Sequence, residues 1–371
     1  MKKVLFVSPS SKFSGAEISL LDVIEVLKDN YEISLITSGK GKFHDKVKKR
    51  FPVYTFDLTD FRRNQGPGTT LLYLLNIIRN SIKIAGLVRR EKISIVYFNG
   101  IKAALYAPGI RLFSGKKMVW HIRDMLPGKI LSRLLLFFSD RVICNSQFIY
   151  KQLPSSEKKA LIYNGIDIHK FSPRHSGKKL LQAELPFLLS RLVVAQIGQL
   201  EQWKNHHLFI DVARRIISRR EDVHFVIFSS DMGSAFPEYR QQLQELIRAA
   251  ALESNFSILD FKDPITGYLN EIDILLHLAC NEPFGRVLIE AMAMAKPVLA
   301  IKSGGPAEIV QDGKTGYLAD SLSADVIADK LEVLMDNEAL RERFGQAGRK
   351  RVQERFNIHN LMEIGEILSR L

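Results

Sequence analysis

The chain reads as an α/β protein of two open parallel sheets on three observations: its length, a steady alternation of β-rich and helical stretches, and the return of that alternation after a break near the middle. At 371 residues it exceeds the usual reach of one hydrophobic core, so two domains are expected. Short runs rich in β-branched and aromatic residues, separated by longer amphipathic stretches, are the pattern of strands joined by helical crossovers.

Taken in order, the β-rich runs of the first half are 4–9, 32–37, 52–56, 94–98, 117–122 and 141–145, with helices expected over 15–28, 70–90 and 101–113. The stretch "NGIDIHKFSPRHSGKK" then breaks both periods with Gly, Pro and basic residues. Alternation resumes with strands at 191–198, 223–230, 256–261, 273–278 and 297–301, each followed by a helix. The expected division is 1–172, 173–355 and a closing helix, 356–371, that packs back on the N-terminal domain. Two Rossmann-like domains facing a central cleft is the architecture this predicts. Open α/β sheets bind ligands beyond the carboxyl ends of their strands, so the cleft is the expected site.

Composition narrows the classes. Hydrophobic residues at 46% and charged residues at 25% are ordinary for a globular protein. The longest continuous apolar runs, 71–78 and 134–138, fall short of the roughly 20 residues that span a bilayer. "MKKVLFVSPSS" is too short and strand-like for a signal peptide, and Cys144 and Cys280 form no disulfide framework or zinc spacing, so a cytoplasmic protein is expected. Residues 1–172 hold 29 Lys/Arg against 13 Asp/Glu, a balance of +16, while the rest holds 24 against 27. A basic half attracts acidic partners: nucleic acid, anionic lipid or phosphorylated substrate.

Several chemistries lack their motifs. There is no P-loop, no Asp-x-Asp and no G-x-S-x-G, and "GKGKFH" (39–44) starts but does not complete a G-x-G-x-x-G. His206 and His207 have no third ligand at metal spacing and read as helix-surface residues, so no metal site is expected.

What is present gathers at strand ends of the second half. "NEPFGRVLIEAMA" (281–293) sets Glu290 in an apolar helix opened by Pro283–Gly285, with Glu282 about two turns, ~12 Å, before it. A carboxylate there must have a partner. In "GQLEQWKNHH" a turn at Gly198 leads to Lys204 at the opening of a helix, a position suited to a diphosphate. In "KSGGPAEIV" two glycines let the backbone approach a ligand, and Pro306 begins the next helix.

Together with "NGID…F" (164–171), "DGKTGYL" (312–318), "SGAE" (14–17), "VWHIRD" (119–124) and "CNS" (144–146), these stretches resemble, in order and over nearly the full length, a family 4 retaining glycosyltransferase of the GT-B fold (glycosyl transferases group 1). The resemblance implies that Glu290 binds ribose hydroxyls and Glu282 the donor sugar, and that amides around Phe284, Gly285 and Arg286 hold that sugar. Lys204, aided by the Gly15 backbone, would neutralise the diphosphate, with Gly198, Gln199 and Gly305 also in the donor site. His121 would sit beside the sugar and the β-phosphate. The implied donor is a nucleotide-diphosphate sugar, used without metal or resident cofactor, by a front-face route in which the leaving phosphate helps deprotonate the acceptor. Departures are Gln199 where many relatives carry Arg, "SSDMGSAF" (229–236) in place of a glycine turn, and Ala295 in place of glycine.

The expected acceptor is a glycan or lipid-linked molecule of surface polysaccharide or glycolipid synthesis, and no nucleic-acid partner is expected. Segments 46–51, 61–64 and 128–138 place basic residues beside apolar ones, which suggests a protein peripheral at the inner face of the cytoplasmic membrane, on anionic lipid. Two alternatives stand: another GT-B enzyme, such as a sugar-nucleotide epimerase or a phosphorylase, and a non-catalytic basic protein that binds nucleic acid.

Overall fold

The computed structural model describes residues 1–11, 13–58, 67–173, 180–229, 237–260 and 265–371. The basic stretch 61–64 and residues 230–236 of the departure noted above lie outside them. The chain divides into unit 1, Met1–Gly165 with Ile358–Leu371, and unit 2, Ile166–Asn357. The changeovers at 165/166 and 357/358 replace the 172/173 and 355/356 read from the sequence. They fall there because Ile166 bridges to Asn357 and donates its N–H to the Phe356 carbonyl at 2.9 Å, tying the two ends of unit 2 together.

Unit 1 has seven strands: β1 (Lys2–Val7), β2 (Tyr31–Thr37), β3 (Val53–Thr55), β4 (Ile95–Asn99), β5 (Lys117–Ile122), β6 (Arg141–Cys144) and β7 (Lys159–Leu161). All pair in parallel, in the order β3-β2-β1-β4-β5-β6-β7. Its helices are α1 (Gly15–Leu27), α2 (Gly41–Val47), α3 (Pro67–Arg90), α4 (Ile101–Ala104), α5 (Ala107–Ser114), α6 (Lys129–Phe138) and α7 (Gln147–Gln152), together with the C-terminal helix Met362–Ser369. Successive strand residues point to opposite faces. Leu5, Val7, Phe98 and Trp120 face a core closed by α3, α5 and α6. Val4, Phe6, Tyr97 and Val119 face a second core closed by α1, α2 and the C-terminal helix through Ile364 and Leu368. Burial on both faces is why these strands read as continuous apolar runs.

Three sequence expectations for unit 1 change. The seventh strand was not read, because its three residues, "KAL", include no β-branched or aromatic side chain. The helix expected over 101–113 is two, α4 and α5, because Pro108 has no N–H to bond the carbonyl of residue 104. Finally, an 18-residue stretch within Thr70–Arg90 of α3 has a mean hydropathy of 1.4, and the helix is, by length and composition, apolar enough to cross a membrane. Continuous runs alone understated it, since Arg79 and Lys83 interrupt them.

Unit 2 has six parallel strands: β8 (Leu192–Gly198), β9 (Val223–Ser229), β10 (Phe256–Asp260), β11 (Ile274–His277), β12 (Val298–Ile301) and β13 (Tyr317–Ala319), in the order β10-β9-β8-β11-β12-β13. Its α-helices are α8 (Leu180–Glu184), α9 (His206–Ile217), α10 (Pro237–Ala249), α11 (Thr266–Glu271), α12 (Arg286–Ala293), α13 (Pro306–Ile309), α14 (Ala324–Asp336) and α15 (Glu338–Arg355). One core joins β8, β9 and β11 to α9 and α14 through residues such as Phe209, Phe225, Leu276 and Leu331. The sheet's order reverses direction between β8 and β11, the switch point at which such sheets bind ligands.

Candidate functional site

The strand ends at that switch point carry the polar residues of unit 2. β8 ends at Gly198, and the chain turns through a single 3₁₀ turn, Gln202–Lys204, before α9. Lys204 therefore precedes the helix it was expected to open. Its carbonyl accepts from Gln196 Nε2 at 2.6 Å, and the next residue, Asn205 in a left-handed conformation, donates from Nδ2 to the Leu278 carbonyl at 2.8 Å. The turn is thus pinned both to β8 and to the loop after β11. A Cβ at Gly198 would meet the Lys204 methylenes at 3.7 Å, an ordinary contact. Gln199 is half-buried beside it.

Lys204 Nζ reaches Glu282 Oε2 at 2.5 Å and stands 3.9 Å from the centre of the Trp203 ring. Both charged side chains are 14% exposed. Burial alone would raise the Glu282 carboxyl, but the attraction and hydrogen bond of Lys204 outweigh it and hold it below the ordinary value. A third group was missed by sequence reasoning. His277, the last residue of β11, brings Nε2 to 3.7 Å from the same Glu282 oxygen. Burial, reinforced by Lys204, pushes its pKa down to about 4, so the ring is neutral at pH 7. Its only signal in the sequence was a histidine closing an apolar strand five residues before Glu282.

Glu290 has a partner in its own helix. Arg286 Nε donates to Glu290 Oε1 at 2.7 Å, and both side chains are 10% exposed. The i,i+4 spacing that allows this was visible in the sequence. Because α12 begins at Arg286, with Gly285 left-handed before it, Glu282 lies in a loop and Glu290 sits little more than one turn into the helix. The two-turn helical spacing expected of the pair is therefore not formed. Phe284 is buried edge-on against Phe356, their ring centres 5.9 Å apart.

The loop after β12 presses on this segment backbone to backbone. A Cβ at Gly304, which is left-handed at φ +64°, would lie 2.4 Å from the Glu282 carbonyl oxygen, and one at Gly305 2.3 Å from that of Phe284. The Gly305 amide donates to the Glu282 carbonyl at 2.8 Å. Its contribution is to bring the loops together.

In unit 1, His121 on β5 is fully buried, its Nδ1 sharing a hydrogen with the Tyr97 hydroxyl. Whichever of the two carries that hydrogen, Nε2 has no hydrogen-bond partner among the described residues. Burial, and then neighbouring Arg123, hold its pKa well below the ordinary histidine value. Arg123, which sequence reasoning passed over, is itself buried and donates to Asn99 Oδ1 at 3.1 Å and Asn164 Oδ1 at 2.5 Å. Gly15 is the first residue of α1, exposed, behind a capping box in which Ser14 N–H and Oγ donate to Glu17 Oε2 at 3.1 and 2.6 Å. That helix end already has a carboxylate.

His206, expected on a helix surface, is instead fully buried at the start of α9 with its pKa near 3 through burial, whereas His207 is exposed. Among the described residues no three His, Cys, Asp or Glu side chains gather as a metal site.

Two family descriptions match the chain, "Glycosyltransferase Family 4" over residues 13–170 and "Glycosyl transferases group 1" over 178–351. A curated relative, the capsular polysaccharide biosynthesis glycosyltransferase CapM of Staphylococcus aureus, is 26% identical over 63% of this chain, and the chain spans 62% of that relative's length. Among solved structures, HepE (Alr3699) of Anabaena in complex with UDP and glucose superposes with a TM-score of 0.84 at 24% identity, over the whole of both chains. Sucrose-phosphate synthase of Thermosynechococcus elongatus gives 0.82 at 16% identity, over 100% of this chain and 99% of the other. With both halves matched in order and both sheets wound as in GT-B proteins, the chain belongs to the family 4 (group 1) glycosyltransferases of the GT-B fold.

Proposed function

We propose that the protein transfers a sugar, with retention at the anomeric carbon, from a nucleotide-diphosphate sugar to a hydroxyl of a glycan or lipid-linked acceptor, in the synthesis of a cell-surface polysaccharide or glycolipid. The observation that carries this reading is the Lys204–Glu282 pair, a part-buried cation and carboxylate at the switch point of the sheet, framed by glycine loops. A pair of this kind is costly to bury and is well suited to exchange partners. An incoming diphosphate takes Lys204, and Glu282 is released to accept hydrogen bonds from the sugar. Arg286 holds Glu290 for the ribose, and the N–H groups at the start of α12 add partial positive charge.

The chemistry then needs no covalent nucleophile. The bond from the anomeric carbon to the phosphate oxygen breaks, and a bond to the acceptor oxygen forms on the same face. The acceptor proton passes to the departing phosphate. Fixed donors where negative charge develops supply the stabilisation, so the transfer is proposed to be metal-independent. His121, neutral and with Nε2 unoccupied, is assigned a hydrogen bond to substrate oxygen.

The test is calorimetry with UDP and GDP, with UDP first because the HepE crystals hold it, followed by NMR of the anomeric product in the presence of EDTA. Lys204→Ala is expected to weaken nucleotide diphosphate binding at least tenfold, on the order of 1.4 kcal/mol. Glu282→Gln is expected to spare that affinity and reduce turnover. Unchanged diphosphate affinity in a folded Lys204→Ala protein rejects the assignment of Lys204. Release of an epimerised sugar rejects transfer, and loss of activity in EDTA that returns with manganese rejects metal independence.

A further inference from the structure

The helices on one face of the unit 1 sheet bury one side and leave an apolar side uncovered. α3, α5 and α6 pack side by side over β1, β4 and β5, with Ile84, Val88, Ile110 and Leu135 inside. On the outside of α3, Leu71, Leu75, Ile78 and Ile82 recur at i, i+4, i+7 and i+11, about half exposed or more. Leu112 on α5 (71% exposed), and Ile130 (87%) and Phe137 (72%) on α6, extend the same uncovered surface. Exposed apolar residues concentrated in this way mark an interaction surface.

Charge identifies the occupant. The three helices contain seven cations and not one Asp or Glu; Arg90 is paired with Glu91 at 3.0 Å and Arg111 with Asp140 at 2.7 Å, while Arg79, Lys83, Arg89, Lys129 and Arg133 have no ion pair among the described residues. Arg79, Lys83 and Arg90 run down one flank of the α3 stripe. Lys83 and Arg90, with Gly86 between them, line a groove of about 640 Å³ against Tyr54 and Phe56. Lys83 has no ion pair among the described residues. A second copy docked on this face by two-fold symmetry would set cations against cations. An anionic bilayer instead offers acyl chains to the leucines and phosphates to the flank. Although α3 is long enough to cross a membrane, its inner stripe is committed to the sheet core, and crossing would bury Arg79 and Lys83 in hydrocarbon.

We infer that the outer face of α3, α5 and α6 is a docking surface for anionic lipid, with the groove beside Lys83 receiving the phosphate headgroup. This relocates the contact expected at 46–51. That segment is on α2 and just after it, across the sheet, where Lys48 is paired with Asp45 and Arg50 with Glu25, each at 2.6 Å. The inference stands apart from the transferase reading, since binding needs neither donor nor acceptor.

Flotation of the full chain with phosphatidylcholine vesicles containing one-third phosphatidylglycerol tests it, against phosphatidylcholine alone. The protein is expected to float only with the anionic vesicles and to be released by salt. Each cation near such a surface contributes about fivefold, so Arg79→Ser/Lys83→Ser/Arg133→Ser is expected to bind about a hundredfold more weakly. Leu75→Ser/Ile78→Ser/Phe137→Ser is expected to abolish flotation. These side chains are exposed, and an unchanged melting curve verifies the fold. Lys48→Ser/Lys49→Ser is expected to float like the wild type. The inference falls if the wild type stays soluble at low salt or if the α2 variant loses as much binding as the α3 variant. It also falls if the protein is a dimer that the apolar triple variant splits.

Discussion

At the scale of residues, the resident ion pairs decide what a ligand can gain. Glu290 is already bonded to Arg286, so its charge is not stranded when the site is empty. Glu290→Ala removes the proposed ribose acceptor and leaves Arg286 without that partner. Calorimetry is expected to show a loss of about 1.5–3 kcal/mol in nucleotide diphosphate binding, the range for a hydrogen bond to a charged group. Undiminished affinity in a folded variant would remove ribose from the reading. Glu290 and Lys204 stood out in the sequence as a carboxylate in an apolar helix and a lysine after a glycine turn, and Glu282 by its place just before that helix. His277 and Arg123 did not. A histidine at the end of an apolar run looks like packing, and a cation immediately after a strand looks solvated until the fold places Asn99 and Asn164 around it.

At the scale of elements, the loops after β11 and β12 behave as one object because glycine lets their backbones touch. Gly304→Ala demands a left-handed alanine, costing roughly 1–2 kcal/mol, and drives a methyl against the Glu282 carbonyl. The Glu282 loop must move. The expected result is at least a tenfold loss of turnover with a lower melting temperature, and an unaltered kcat/KM would show that the close approach is dispensable. Most strands and long helices were legible from periodicity. The edge strands β7 and β13 were not, since their short sequences, "KAL" and "YLA", contain no β-branched residue. The break between α4 and α5 was announced by Pro108 and overlooked.

At the scale of the whole molecule, both units contain buried neutral histidines. Burial is the leading cause of a lowered pKa in each: well below the ordinary value for His121 in unit 1, about 3 for His206, and about 4 for His224 and His277 in unit 2. A group whose pKa is lower folded than unfolded takes up a proton on unfolding. Its contribution is therefore complete above the unfolded value of about 6.5 and is lost as pH falls toward 4. The slope is about 1.4 kcal/mol per pH unit for each histidine. Urea unfolding between about pH 7 and pH 5 is expected to show stability dropping with acidity, and His277→Leu to flatten the profile by one histidine's share. A flat wild-type profile would contradict neutral burial. The basic excess of the first half was visible in the sequence, but its allocation to sheet faces was not, because α2 and α3 differ in where their cations point only once the strands alternate.

The bridge between Ile166 and Asn357 closes unit 2 as a self-contained loop of chain, while unit 1 is written in two instalments. During synthesis, residues 358–371 leave the ribosome after all of unit 2. Until they arrive, Leu20, Val23 and Leu27 of α1 lack the Leu361, Ile364 and Leu368 that share their core. The unit that is translated first is therefore the one completed last, and a chain stopped at residue 357 carries a whole second unit attached to an unfinished first.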